Sequence, residues 1–135
     1  MQNKRPLASY AAACFLAASG CASVPQSPEQ AVEARASQWL DALMRYDIDG
    51  IYAYTSPAYQ SAHSARYYSK NYAGRNMWKS ASLGKVHCDA VEDFGLCKVD
   101  VLITYRGFSM RDDMVTTLRE TWVQVDGVWY TQPRQ

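Results

Sequence analysis

The chain changes rhythm near its middle. Between residues 27 and 72 apolar side chains recur every three or four positions; from Trp78 onward β-branched and aromatic residues come in runs separated by turn signals. Val32, Ala36, Trp39, Leu40 and Leu43 fall on one helical face, while Glu33, Arg35 and Asp41 point elsewhere. Ser27 suits an N-cap, Pro28 suits the first helical position, and Gln30 completes a capping box. The spacing therefore predicts a helix from Ser27 to about Tyr46. Asp47 or Asp49 then caps a short second helix, Ile51 to Tyr54, which Thr55-Ser56-Pro57 breaks. A third, polar helix with an aromatic face is expected from about Tyr59 to Tyr72, closed by Gly74.

The second half predicts strands at about Ser80–Val91, Leu96–Phe108, Met114–Val125 and Val128–Gln132. Asp126-Gly127, set between alternating segments, is a strong type I′ hairpin signal. Glu92-Asp93-Phe94-Gly95 turns the first hairpin. Pairing Cys88 with Cys97 puts the two opposite each other across that hairpin, brings Val86 against Val99, and sets Lys85 against Asp100 as a cross-strand ion pair. The hydrophobic alternation gives the same register. Helices first, then a meander of strands, is an α+β pattern: N-terminal helices packed on an antiparallel four-stranded sheet.

The first twenty residues follow neither rhythm. Lys4 and Arg5 precede an apolar run from Leu7 to Ala18, too short for a permanent membrane span and suited to a signal peptide. Ala18-Ser19-Gly20-Cys21 resembles the lipobox of bacterial lipoproteins, which implies that the Cys21 thiol is lipidated and becomes the mature N-terminus. The usual pattern has Leu where Ala18 stands. Cys14 also follows small residues, but would leave only Leu7 to Ala13 as the apolar run. An ordinary secreted protein with Cys21 as a spare thiol is the remaining alternative. Residues 21–28, with Pro25 and Pro28, read as a tether, and residues 29–135 as one domain.

Removing residues 1–20 leaves twelve basic against thirteen acidic residues and no block of like charge. That excludes a nucleic-acid binder, which needs a basic stripe, and a polybasic membrane surface. Membrane attachment then rests on lipid at Cys21. With Cys14 discarded and Cys21 acylated, Cys88 and Cys97 remain, an even pair in an oxidising compartment and so one expected disulfide. Two cysteines without a second pair or nearby histidines do not complete a metal site. No cofactor is expected.

Ala36-Ser37-Gln38-Trp39-Leu40-Asp41-Ala42-Leu43, Tyr46-Asp47 and the stretch Tyr52 to Tyr59 resemble small bacterial lipoproteins with a nuclear-transport-factor-2-like (cystatin-like, SnoaL-like) domain. Val101 to Tyr105, Glu120-Thr121-Trp122-Val123 and Asp126-Gly127-Val128-Trp129-Tyr130 are similar to strands of the same group. The likeness covers most of residues 30–130 and rests on packing and turn motifs. It implies a curved sheet wrapped around helices as a cone, often holding a pocket and often dimerising through the sheet. Ala22 and Ser23 after the cysteine, rather than Asp, imply the outer membrane facing the periplasm.

Acid–base chemistry inside such a cone would fall to Glu120, Asp100 or His63, with His87 and Asp89 the other titratable candidates. Cys97, Val99, Val101, Ile103 and Tyr105 form the apolar face of the second strand, so Asp100 and His87 are expected to point outward; Glu120 lies between Leu118 and Trp122. No hydrolase, zincin or phosphate-loop motif occurs. Trp39, Tyr54, Tyr68, Trp122 and Trp129 read either as core or as the lining of a pocket or interface. Val123, Val125, Val128 and Tyr130 share one sheet face, which offers an association surface if helices cover only the other. Two functions follow as expectations: a non-enzymatic envelope lipoprotein binding a partner protein or a small apolar ligand, or a pocket enzyme of isomerase or dehydratase type with a carboxylate base.

Overall fold

A computed structural model describes residues 26–91 and 94–134. The expected signal peptide, the expected lipidation at Cys21, most of the expected tether (residues 21–25), Glu92, Asp93 and Gln135 lie outside the described residues. The long first helix, α1 (Pro28–Met44), begins as its sequence dictates: the Ser27 hydroxyl accepts from the Gln30 amide at 3.2 Å, and the Gln30 side chain accepts from the Ser27 amide at 3.1 Å. Val32, Ala36, Trp39, Leu40 and Leu43 are all buried, and Ala42 joins them.

The helix ends in a Schellman turn, with Asp47 N–H donating to the Ala42 carbonyl and Tyr46 N–H to that of Leu43. Tyr46 takes the left-handed position (φ 63°) that usually holds glycine. The Arg75 side chain reaches across the chain to donate to the Leu43 and Met44 carbonyls, and its guanidinium lies 5.7 Å from the Tyr46 ring centre. A cation at a helix C-terminus meets both the last carbonyls and the negative end of the dipole, so this contact fixes a strained corner.

Beyond that corner the helical layer is more divided than the spacing predicts. Asp47 caps α2 (Ile48–Tyr52) through the Gly50 amide at 2.8 Å, so the second helix starts earlier than Ile51. The expected single helix from Tyr59 to Tyr72 is instead three pieces: α3 (Pro57–Ala62), α4 (Ala65–Ser69) and a 3-10 segment, Lys70–Met77. Ser56 caps α3 and Ser64 caps α4, each accepting from an amide three residues on at 3.2 Å. A serine inside the run offers the backbone a competing cap, and His63 is extended there to admit it.

The sheet is an antiparallel meander, β1 (Trp78–Val91), β2 (Phe94–Tyr105), β3 (Met114–Val125) and β4 (Val128–Gln132), in that spatial order. Cys88 pairs with Cys97, the two joined by a disulfide, and Val86 pairs with Val99, as the alternation predicts. The first hairpin is tighter than expected, because Phe94 and Gly95 pair with Val91 and Ala90 rather than turning. Between Leu83 and Val86 two residues of β1, Gly84 and Lys85, oppose the single Asp100. This bulge removes the expected Lys85–Asp100 pair; Asp100 instead accepts from Arg119 on β3 at 2.8 Å. Phe108 lies beyond β2 and is 99 % exposed, so that strand is shorter than its apolar run. Asp126 and Gly127 both take positive φ, the type I′ signature.

One face of the sheet packs on the helices. Cys97, Val99, Val101 and Ile103 from β2, Glu120 and Trp122 from β3, and Trp129 and Thr131 from β4 are buried there. Trp39 of α1 meets Trp122 edge to face, ring centres 6.2 Å apart. The outer side of β4 is partly covered by the chain between α2 and α3: Thr55 forms a parallel bridge with Thr131, and the Thr131 amide donates to the Tyr54 carbonyl at 2.8 Å. Fold class and core are thus α+β, with α1 lying on an open four-stranded antiparallel sheet.

Candidate functional site

Strand alternation places Leu118, Glu120 and Trp122 on the helix-facing side of β3. Glu120 is therefore carried into the core beside its β2 partner Val99, and only 1 % of it is exposed. The helical layer supplies its surroundings. Trp39 Nε1 donates to the Tyr68 hydroxyl at 3.2 Å, and the Tyr68 and Tyr72 hydroxyls lie 3.3 Å apart. Tyr68 is fully buried and Tyr72 nearly so.

Neither carboxylate oxygen of Glu120 has a hydrogen bond of ordinary geometry. Among the described residues its one close charge is the Arg134 guanidinium, 3.5 Å away on a side chain that is itself nearly half exposed. Burial therefore dominates and pushes the Glu120 carboxyl up to about 7; the Arg134 charge and the neighbouring Tyr72 hydroxyl pull the other way without cancelling it. Burial also pushes the Tyr68 phenol up to about 12 and raises Tyr72 well above its ordinary 10. Both phenols stay protonated, so each brings one hydroxyl proton to the cluster. The Trp122 indole N–H and the Thr131 hydroxyl are likewise buried without a partner. The arrangement is a buried carboxyl group of near-neutral pKa close to two protonated phenols and one cation.

The other titratable candidates lie apart from it. Asp100 points to the outer face, bound to Arg119, near Lys98, whose Nζ donates to Thr121 Oγ1 at 2.7 Å. His87 and Asp89 form a pair of their own at 3.4 Å, both largely exposed. His63 ends α3, its ring stacked on Tyr67 (centres 4.7 Å apart) and tilted against Tyr59 (4.5 Å). Among the rings, Trp39, Tyr68, Trp122 and Trp129 are core residues, while Tyr54 sits at the core's margin under the Arg35 guanidinium. Arg35 Nε also donates to the Trp129 carbonyl at 2.7 Å. Tyr72 and Arg134 belong to the Glu120 cluster although the sequence reading did not connect them to it. A carboxylate placed by alternation on an apolar face is the signal that would have prompted a search for its cation.

No protein-family model matches the chain, and no curated protein matches its sequence. Among the described residues no helix is long and apolar enough to cross a membrane, and no group of three histidine, cysteine or acidic residues converges to hold a metal ion. A cavity of about 420 Å³ opens on the helical side of the domain, and Glu120 does not line it.

Proposed function

We propose that the chain is a lipid-anchored protein of the cell envelope, held through acylated Cys21. Its domain, of the nuclear-transport-factor-2-like cone type, binds a partner protein or a small ligand and performs no chemistry. The observation that carries the non-catalytic reading is the packing around Glu120. Glu120 is 1 % exposed and does not line the cavity of about 420 Å³, and Trp39, Tyr68, Tyr72 and Trp122 are buried core residues, so the carboxyl group has no open path to a substrate. The outward face of the sheet supports association, since Leu102, Val115, Val125 and Val128 remain between 37 and 70 % exposed there. A homodimer or an envelope partner would meet that face. Ala22 and Ser23 support placement at the outer membrane, facing the periplasm.

Two experiments test this. Cys21→Ser is expected to release the folded domain from the membrane or leave the precursor uncleaved; a normally cleaved variant that still fractionates with membrane overturns the anchor. Crosslinking in intact envelopes, followed by co-purification, is expected to recover a partner or a bound ligand. Recovery of free monomer alone counts against binding.

A second reading has one observation in its favour. A buried carboxyl group with a pKa near 7 is suited to act as a general base at neutral pH. On this reading Glu120 would take a proton from a carbon next to a carbonyl, and Glu120→Gln would abolish turnover of such a substrate. Turnover surviving in that variant ends the reading.

A further inference from the structure

We propose that the cleft between the C-terminal end of α1, α2 and the α4–3-10 segment is a binding site for a small amphiphilic anion, an apolar body carrying one carboxylate or similar group. The proposal rests on the binding-domain reading and names the ligand class. The cleft measures about 420 Å³, within the range of small-molecule sites. Leu43, Ile51 and Tyr72 line it, and each is at least nine-tenths buried, so its floor is apolar.

The rim is cationic. Arg66, Lys70 and Arg75 line the cleft against one acid, Asp47. Asp47 is engaged in capping α2, and it forms no ion pair with any of the three. Among the described residues, Arg66 and Lys70 have no carboxylate within ion-pair distance. They stand four positions apart, where like charges repel, and an anion seated between them would relieve that cost. Arg75 is held in place by the Leu43 and Met44 carbonyls, which are neutral and leave its charge intact. A cation whose position is already fixed loses little freedom when a ligand arrives.

The floor decides the ligand's other half. Inorganic phosphate would gain nothing from the exposed apolar lining, Tyr46 and Ile48, whereas an aromatic or short aliphatic body removes that surface from water. The site is also separate from the buried carboxyl group. Tyr72 lines the cleft while its hydroxyl turns to Tyr68, so the phenol is a wall between the two.

The test uses the protein isolated from envelopes and placed in vesicles of zwitterionic lipid, with empty vesicles as the blank. Calorimetric titration compares three probes sharing one ring system: naphthoate, naphthamide and naphthylmethylammonium. Naphthoate is expected to saturate a single site at least about tenfold more tightly than the amide, with the ammonium weaker still. Arg66→Gln with Lys70→Gln should weaken naphthoate by about tenfold and leave the amide unchanged. Ala73→Trp, at an exposed cleft position, should abolish binding of every probe by filling the space. Equal affinity for the three probes, inorganic phosphate matching naphthoate, or naphthoate binding untouched by either variant overturns the proposal. These outcomes are independent of crosslinking and co-purification from envelopes, so failure of the binding reading and failure of the cleft are read separately.

Discussion

Replacing Glu120 by glutamine keeps the shape of the side chain and removes its titration, which makes the buried carboxyl group measurable through stability. In the unfolded chain this group titrates near its ordinary 4.5, whereas burial pushes it to about 7 in the folded domain. Below pH 4.5 it is protonated in both states. Between 4.5 and 7 the folded protein holds a proton that the unfolded chain has released, so stability falls as pH rises through this window and is level above it. A separation of about 2.5 pH units at about 1.4 kcal/mol each gives a loss of about 3 kcal/mol. Urea unfolding of the disulfide-intact protein, followed by tryptophan fluorescence at about pH 5 and pH 8, reads it directly. The difference between parent and Glu120→Gln isolates this group from every other. The variant should match the parent near pH 5 and exceed it by up to about 3 kcal/mol at pH 8. Arg134→Ala removes the cation that lowers the Glu120 pKa, so it should extend the window to higher pH. Parallel pH profiles for parent and Glu120→Gln, or a parent that gains stability from pH 5 to pH 7 relative to the variant, would refute the reasoning.

Two further outcomes follow from the sheet. Replacing Cys88 and Cys97 together by serine opens a short loop and should cost about 2–3 kcal/mol, read as a lower urea midpoint that added reductant reproduces in the parent. Gly95→Ala should cost about 1–3 kcal/mol, because a methyl group there runs into the Trp129 indole and presses on Gln124; an unchanged melting temperature would show that the indole moves freely.

The elements legible in the sequence are those whose signals are local. Ser27, Pro28 and Gln30 announce α1, and five apolar positions fix its buried face. Asp126-Gly127 announces the last hairpin, and the spacing of Cys88 and Cys97 agrees with the strand alternation on one register. The expected third helix divides because Ser64 competes as a cap inside a run whose i to i+3 spacings look continuous. The Lys85–Asp100 pairing failed for a comparable reason: Gly84 inside a strand marks the bulge, and simple alternation counts straight through it. Glu120 was placed among the candidates, but its setting was not legible. Its neighbours come from α1, α4, the 3-10 segment and Arg134 beyond the last strand, contacts that periodicity within one strand does not contain. The cationic cleft is equally non-local, gathered from the end of one helix and the irregular stretch that follows two others.

The bulge at Gly84 and Lys85 has a consequence for how the domain meets other chains. β1 borders the sheet, and a straight edge of fourteen residues would be a template for a foreign strand. The extra residue bends it into two short runs, Trp78–Leu83 and Val86–Val91, the first irregular again near Lys79. At the opposite border the chain around Thr55 already occupies part of β4. Beside unfolded, β-rich chains, such borders offer poor grafting stock for cross-strand growth. Any association would then fall to side chains on the faces, where specificity can be written, rather than to backbone, where it cannot.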